Sequence, residues 1–119
     1  MKTMIYAILY SSDLITIEKI LEEILNKNKI FKIESGTVLV YQDELIELSI
    51  EPTYNSIDEL YLSAVIKMKL LEGGEQWVFS MGNVLKKNKV YFSIDYEEID
   101  ERGKPTTAEY NLKFLPHNN

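Results

Sequence analysis

The sequence predicts one α+β domain over residues 1–119: a mostly antiparallel sheet of about six strands with one or two packed helices. Three observations carry this expectation. Apolar or alternating runs of strand length recur along the chain, among them "MIYAILY" (4–10), "IELSI" (46–50) and "VYFSIDY" (90–96). One stretch near the N-terminus, "SDLITIEKILEEILNKNK", has clear helical spacing. The 119 residues are 45% hydrophobic, with five Gly and three Pro confined to turn-like breaks, enough for a core without metal or disulfide staples.

Residues 4–10 are continuously apolar, which suits a strand near the middle of a sheet with both faces covered. Leu14, Ile17, Ile20, Leu21, Ile24 and Leu25 then form one helical stripe. Asp13 is the expected N-cap, and Asn26 and Asn28 mark the end. "KIFKIESGTVLVYQ" reads as two strands broken at Ser35-Gly36. "LIELSIEP" alternates cleanly up to Pro52, with Asp43-Glu44 at the hairpin tip before it.

Residues 56–72 read in two ways. Ile57, Leu60, Tyr61, Ala64, Val65, Met68 and Leu71 form a helical stripe behind a Ser56-x-x-Glu59 capping box. Leu62, Ala64, Ile66, Met68 and Leu70 also alternate with period two. The helix is favoured, because the cap signal is independent of the periodicity. The remainder reads as a β-meander. "QWVFSMGNVL" and "VYFSIDYEE" would flank a "KKNK" turn with Asn88 left-handed, Trp77 and Phe79 would share a core-facing strand face, and "AEYNLKFL" would close the sheet with Tyr110, Leu112 and Phe114 inward.

The formal net charge is −6, and the acids are segregated along the chain. From Ile33 to Ile66 there are seven acids and no Lys or Arg; from Val90 to Glu101 there are five and again none, so 12 of the 19 acids and none of the 13 bases lie there. On a strand, Asp95 and Glu97 share a face, roughly 6–7 Å apart at the backbone. Like charges that close call for water, a cation or a basic partner between them. Glu98, Asp100 and Glu101 carry the charge into the following turn. The expected contact surface is therefore Asp95, Glu97, Glu98, Asp100 and Glu101, with Asp43, Glu44 and Glu47 as a second patch. Tyr91, predicted outward among carboxylates, is either an interface anchor or a ring lying flat over a neighbouring strand. The plainer reading of all these acids is the wet side of alternating strands.

Several chemistries lack their residues. The chain has no Cys and a single His, His117 in the tail, which removes thiolate chemistry and leaves zinc and Ser-His-acid catalysis unsupported. No glycine-rich phosphate loop is present, "DYEEIDERG" lacks the spacing of a calcium loop, and Asp95 and Glu97 lie on a sheet face rather than in a glycosidase-like cleft. No cofactor or metal is expected. The negative charge disfavours nucleic acid and anionic lipid as partners, and no stretch approaches the roughly 20 apolar residues of a membrane span. The N-terminus lacks a signal-peptide cleavage pattern, and with the absence of Cys this suggests a cytoplasmic protein.

The segment Glu75–Glu98 resembles the C-terminal half of cytosolic bacterial immunity proteins (antitoxins) paired with polymorphic nuclease toxins, such as type VII-secreted DNases. Trp77, Phe92, Asp95 and Tyr96 match a Trp–strand–turn–Phe-x-x-Asp-Tyr pattern, over about a quarter of the chain. The resemblance implies inhibition by docking on a toxin, with no catalysis. Physically, an acidic sheet face can occupy the basic cleft by which a nuclease toxin binds phosphate. The other reading of the sequence is a small adaptor or homo-oligomeric structural protein that pairs through a sheet edge. The first reading requires folding to gather the acidic segments.

Overall fold

A computed structural model describes residues 1–116; His117, the sequence's one histidine, lies outside them. The strands are β1 (Lys2–Leu9), β2 (Ile30–Ile33), β3 (Val38–Gln42), β4 (Ile46–Pro52), β5 (Leu60–Ile66), β6 (Phe92–Ile99) and β7 (Tyr110–Phe114). They form one antiparallel sheet in the order β2-β3-β4-β5-β1-β6-β7. Two helices, α1 (Leu14–Leu21) and α2 (Gly74–Lys87), complete the α+β architecture.

The topology explains why both helices lie on one side. β1 and β2 run parallel with α1 between them in sequence, and β5 and β6 run parallel, flanking β1, with α2 between them. The two crossovers start from antiparallel strands and travel in opposite directions along the sheet. Crossovers of the same hand then place their helices on the same face. Side chains of that face, including Ile5, Leu9, Leu39, Ile50, Leu62, Phe92 and Ile94, join Ile17, Leu21, Val78, Met81 and Leu85 from the helices in one buried core. The Glu18–Lys32 pair (3.1 Å) ties α1 to β2, and the Tyr41 hydroxyl accepts from the Asn26 amide beyond α1. Helix α2 packs against β1 and β6.

Three expectations are corrected. Residues 60–66 form strand β5, not a helix. Paired with β1 on one side and β4 on the other, its period-two face (Leu60, Leu62, Ala64, Ile66) is buried, whereas a helix would leave both ladders open. Ser56 caps a turn instead, accepting from the Asp58 amide. Residues 74–87 form helix α2, not a strand. Its stripe Val78, Met81, Gly82, Leu85 has helical spacing, so Trp77 packs partly against the core while Phe79 stays exposed. Lys86 and Lys87 close its last turn, where the helix dipole favours cations, and Lys89 rather than Asn88 takes the positive φ. Third, β1 is not covered equally on both faces; its Met4, Tyr6 and Ile8 side is only half-buried, whereas Ile5, Ala7 and Leu9 are buried. Smaller differences concern α1, which ends at Leu21, and Tyr110, which is exposed.

One bond pins α2 to the sheet. The Tyr96 hydroxyl donates to Glu75 Oε2 (3.1 Å), and its ring stacks on Tyr110 with centroids 5.6 Å apart. Burial, and then the Glu75 carboxylate, push the phenol up to about 12 from an ordinary 10.0. A raised folded-state value means that this stabilisation is complete below pH 10 and disappears as pH climbs through about 12. Tyr96→Phe is therefore expected to remove one late step from the tyrosinate absorbance titration and to flatten the alkaline loss of stability. Loss of a step near pH 10 instead would show that Tyr96 ionises like a free tyrosine.

Candidate functional site

Among the described residues, no helix covers the sheet face opposite α1 and α2, and the face is bare in that sense. Strand alternation and register place its side chains in rows that cross the sheet. One row runs Phe31, Val40, Ser49, Ser63, Tyr6, Asp95, Asn111 from β2 to β7. The adjacent row runs Gln42, Glu47, Val65, Met4, Glu97. On the other side lie Glu51, Tyr61, Ile8 and Ser93. The centre is thus Met4, Tyr6, Ile8, Tyr61 and Val65, all half-buried by one another, with Glu47 and Glu51 on one flank and Asp95 and Glu97 on the other. Burial, then the nearby Tyr6 and Glu51, raise the Tyr61 phenol, as expected for a ring in an apolar patch rimmed by acids. At the β2 edge, Phe31 and Ile33 extend the apolar surface at 63% and 46% exposure.

The sequence-predicted residues divide into two groups. Asp95, Glu97 and Glu47 stand on the bare face. Asp95 accepts from Asn111 Nδ2 (2.7 Å), and Glu47 faces Lys67 at 3.6 Å. Tyr91 precedes β6, exposed, with its ring 5.0 Å from Phe114 on the neighbouring strand. Glu44 and Glu101 are exposed at turns. The others are occupied within the fold. Glu98 accepts from Thr106 Oγ1 (2.7 Å) and the Leu70 amide (3.0 Å), which together hold its carboxyl below the usual range. Asp100 accepts from the Arg102 and Lys104 amides in its turn. Burial pushes Asp43 up, but the Tyr41 hydroxyl and the Leu45 and Ile46 amides outweigh it and keep the carboxyl low. These are turn and cap functions.

Folding brings the two acidic segments to the same end of the sheet, because the start of β4 aligns with the end of β5, the start of β1 and the end of β6. They remain about 15 Å apart, three strand spacings. Lys67 pairs with Glu47 and Lys69 lies near Glu98, so cations are interleaved with the acids and the zone is not uniformly negative. What the sequence reading missed is the apolar centre. Its signal was present: Met4, Tyr6 and Ile8 have no helix to cover them once both helices occupy the other face. The carboxyls with a resolved shift, Asp13, Asp43 and Glu98, all move downward, which keeps them charged and suits them to accept hydrogen bonds rather than to deliver protons. Among the described residues, no three His, Asp or Glu side chains converge as a metal site, and no helix is long and apolar enough to cross a membrane. Comparison with protein-family models, curated proteins and solved structures finds no match to this chain.

Proposed function

We propose that this chain is a non-catalytic immunity protein of the cytoplasm that captures and blocks a basic protein toxin, with a nuclease the best-fitting class, through the bare face of its sheet. The observation that carries the reading is the composition of that face: an apolar and aromatic centre flanked on both sides by carboxylates. Interfaces gain affinity from a desolvated centre with aromatic anchors, and speed and partner choice from charge at the rim. A nuclease cleft that binds phosphate offers the complementary basic surface. Of the resemblance carried by Trp77, Phe92, Asp95 and Tyr96, only the Phe-x-x-Asp-Tyr part lies on a strand, β6, because Trp77 stands within helix α2 rather than ahead of a strand, and that part alone supports the same reading.

The test is co-expression with the product of the adjacent reading frame, followed by association kinetics at low and high salt. Asp95→Lys with Glu97→Lys is expected to slow association by about tenfold or more at low salt, with the difference shrinking as salt screens it. An association rate untouched by the reversal removes the charged flank from the account.

A second reading has its own observation. Edge strand β2 exposes Phe31 and Ile33, and an apolar edge invites strand pairing between copies. Sedimentation separates the two: a stable dimer that Phe31→Lys dissociates favours a homo-oligomeric adaptor, and a monomer favours capture of a different protein.

A further inference from the structure

The bare face is not flat. Ser49 and Ser63 stand directly opposite each other on β4 and β5, between the bulkier Val40 and Tyr6 of the same row. Around them lies a shallow depression of about 260 Å³, walled by Met4, Val65, Gln42 and Glu47. We propose that this depression seats one arginine side chain of the basic partner, with its guanidinium on Glu47 and the two serine hydroxyls. The inference rests on the capture reading of this face and names the group that would anchor it.

The chemistry of the lining selects the occupant. The two serine oxygens are 3.1 Å apart, so one hydroxyl donates to the other. The pair is left with one free O–H and a surplus of acceptor lone pairs, to which Glu47 adds a carboxylate. A guanidinium carries five donors and no acceptor, in a planar fork that can engage a carboxylate and a neighbouring hydroxyl together; an ammonium is a compact point charge without that fork. Met4 and Val65 present apolar surface to the methylene stem. An anionic group would meet Glu47 instead. Glu47 already faces Lys67, but that pair is long, at 3.6 Å, and both side chains are well exposed, at 38% and 49%, so displacing it costs little.

The probe is a blocked tripeptide, acetyl-Gly-Arg-Gly-amide, titrated into the full chain and followed through amide shifts by NMR. The expected result is saturable shifts confined to Glu47, Ser49, Ser63, Val65 and their strand neighbours, larger than with the lysine peptide and lost with the uncharged citrulline peptide. Glu47→Gln is expected to weaken binding about tenfold, and Lys67→Ser to strengthen it by removing the competitor. Shifts scattered over carboxylates of the helix layer, equal response to citrulline, no saturable response, or indifference to Glu47→Gln each overturn the arginine seat. If the seat fails while a bound toxin still covers Met4, Tyr6 and Ile8, only this inference falls. If the tripeptide binds there while the toxin contacts other surfaces, the capture reading of this face falls, and the depression is an arginine site for some other basic chain.

Discussion

Gly74→Ala is expected to destabilise the protein by about 3 kcal/mol, although alanine is by propensity the better helix former. Gly74 is the buried first residue of α2 and lies against Thr3 of β1. A Cβ there would overlap Thr3 Oγ1, sit 2.7 Å from Thr3 Cβ and come within 3.2 Å of the Lys69 carbonyl. Thr3 cannot swing aside without loss: it is fully buried, and its hydroxyl donates to the Met68 carbonyl (2.9 Å). The helix must therefore lift, and with it Val78, Met81 and Leu85, which fill the core. The propensity gain is at most about 1 kcal/mol, whereas overpacking a rigid site costs about 1–3 kcal/mol and sometimes more, so strain wins. Urea unfolding measures the difference. Thr3→Ala should restore part of it in the double variant, because it removes the overlapping oxygen; a Gly74→Ala protein as stable as the parent would mean that α2 does not seat on β1 as described.

Met4→Arg with Val65→Arg is expected to weaken capture of the partner by about 100-fold or more while the fold survives. The two positions are directly opposite on β1 and β5. Two arginines side by side repel, but Val65 also faces Glu47 and Met4 also faces Glu97. The row becomes Glu-Arg-Arg-Glu, each new cation beside a carboxylate, so the strands tolerate the change. The same substitution replaces two of the five central apolar residues and sets a cation beside one carboxylate on each flank, and so lowers affinity and steering together. The comparison variant is Glu22→Lys at the C-terminal cap of α1, on the helix side, which should leave capture unchanged. Equal loss in both variants would argue for diffuse charge attraction without a defined surface.

The strands that a single signal defines were legible in the sequence. β1, β4 and β6 were read from apolar runs or clean alternation, and the β3–β4 tip at Asp43-Glu44 from its turn residues. Where two periodicities coexist, local signals failed. Leu60–Ile66 carries both, and its state is decided by ladders to β4 and to the distant β1, such as Leu48 with Ala64 and Ile5 with Ala64. In residues 74–87, attention to Trp77 and Phe79 concealed the helical stripe through Val78, Met81 and Leu85. The acidic flanks were visible as charge segregation, but not which acids fold into turns: Asp43, Glu98 and Asp100 accept from backbone amides, and Asp43 and Glu98 also from the Tyr41 and Thr106 hydroxyls, that folding places beside them. The bare face itself depends on the two crossovers sharing one side, a property of connectivity rather than of any local stretch.

The most direct measurement is methyl cross-saturation in the complex with the captured toxin. Saturating the partner should attenuate the methyl signals of Met4, Ile8, Val40 and Val65, and leave those of Ile15, Leu71 and Val84 in the helix layer at full intensity. Attenuation of the helix-layer methyls, with the first group untouched, would contradict the account.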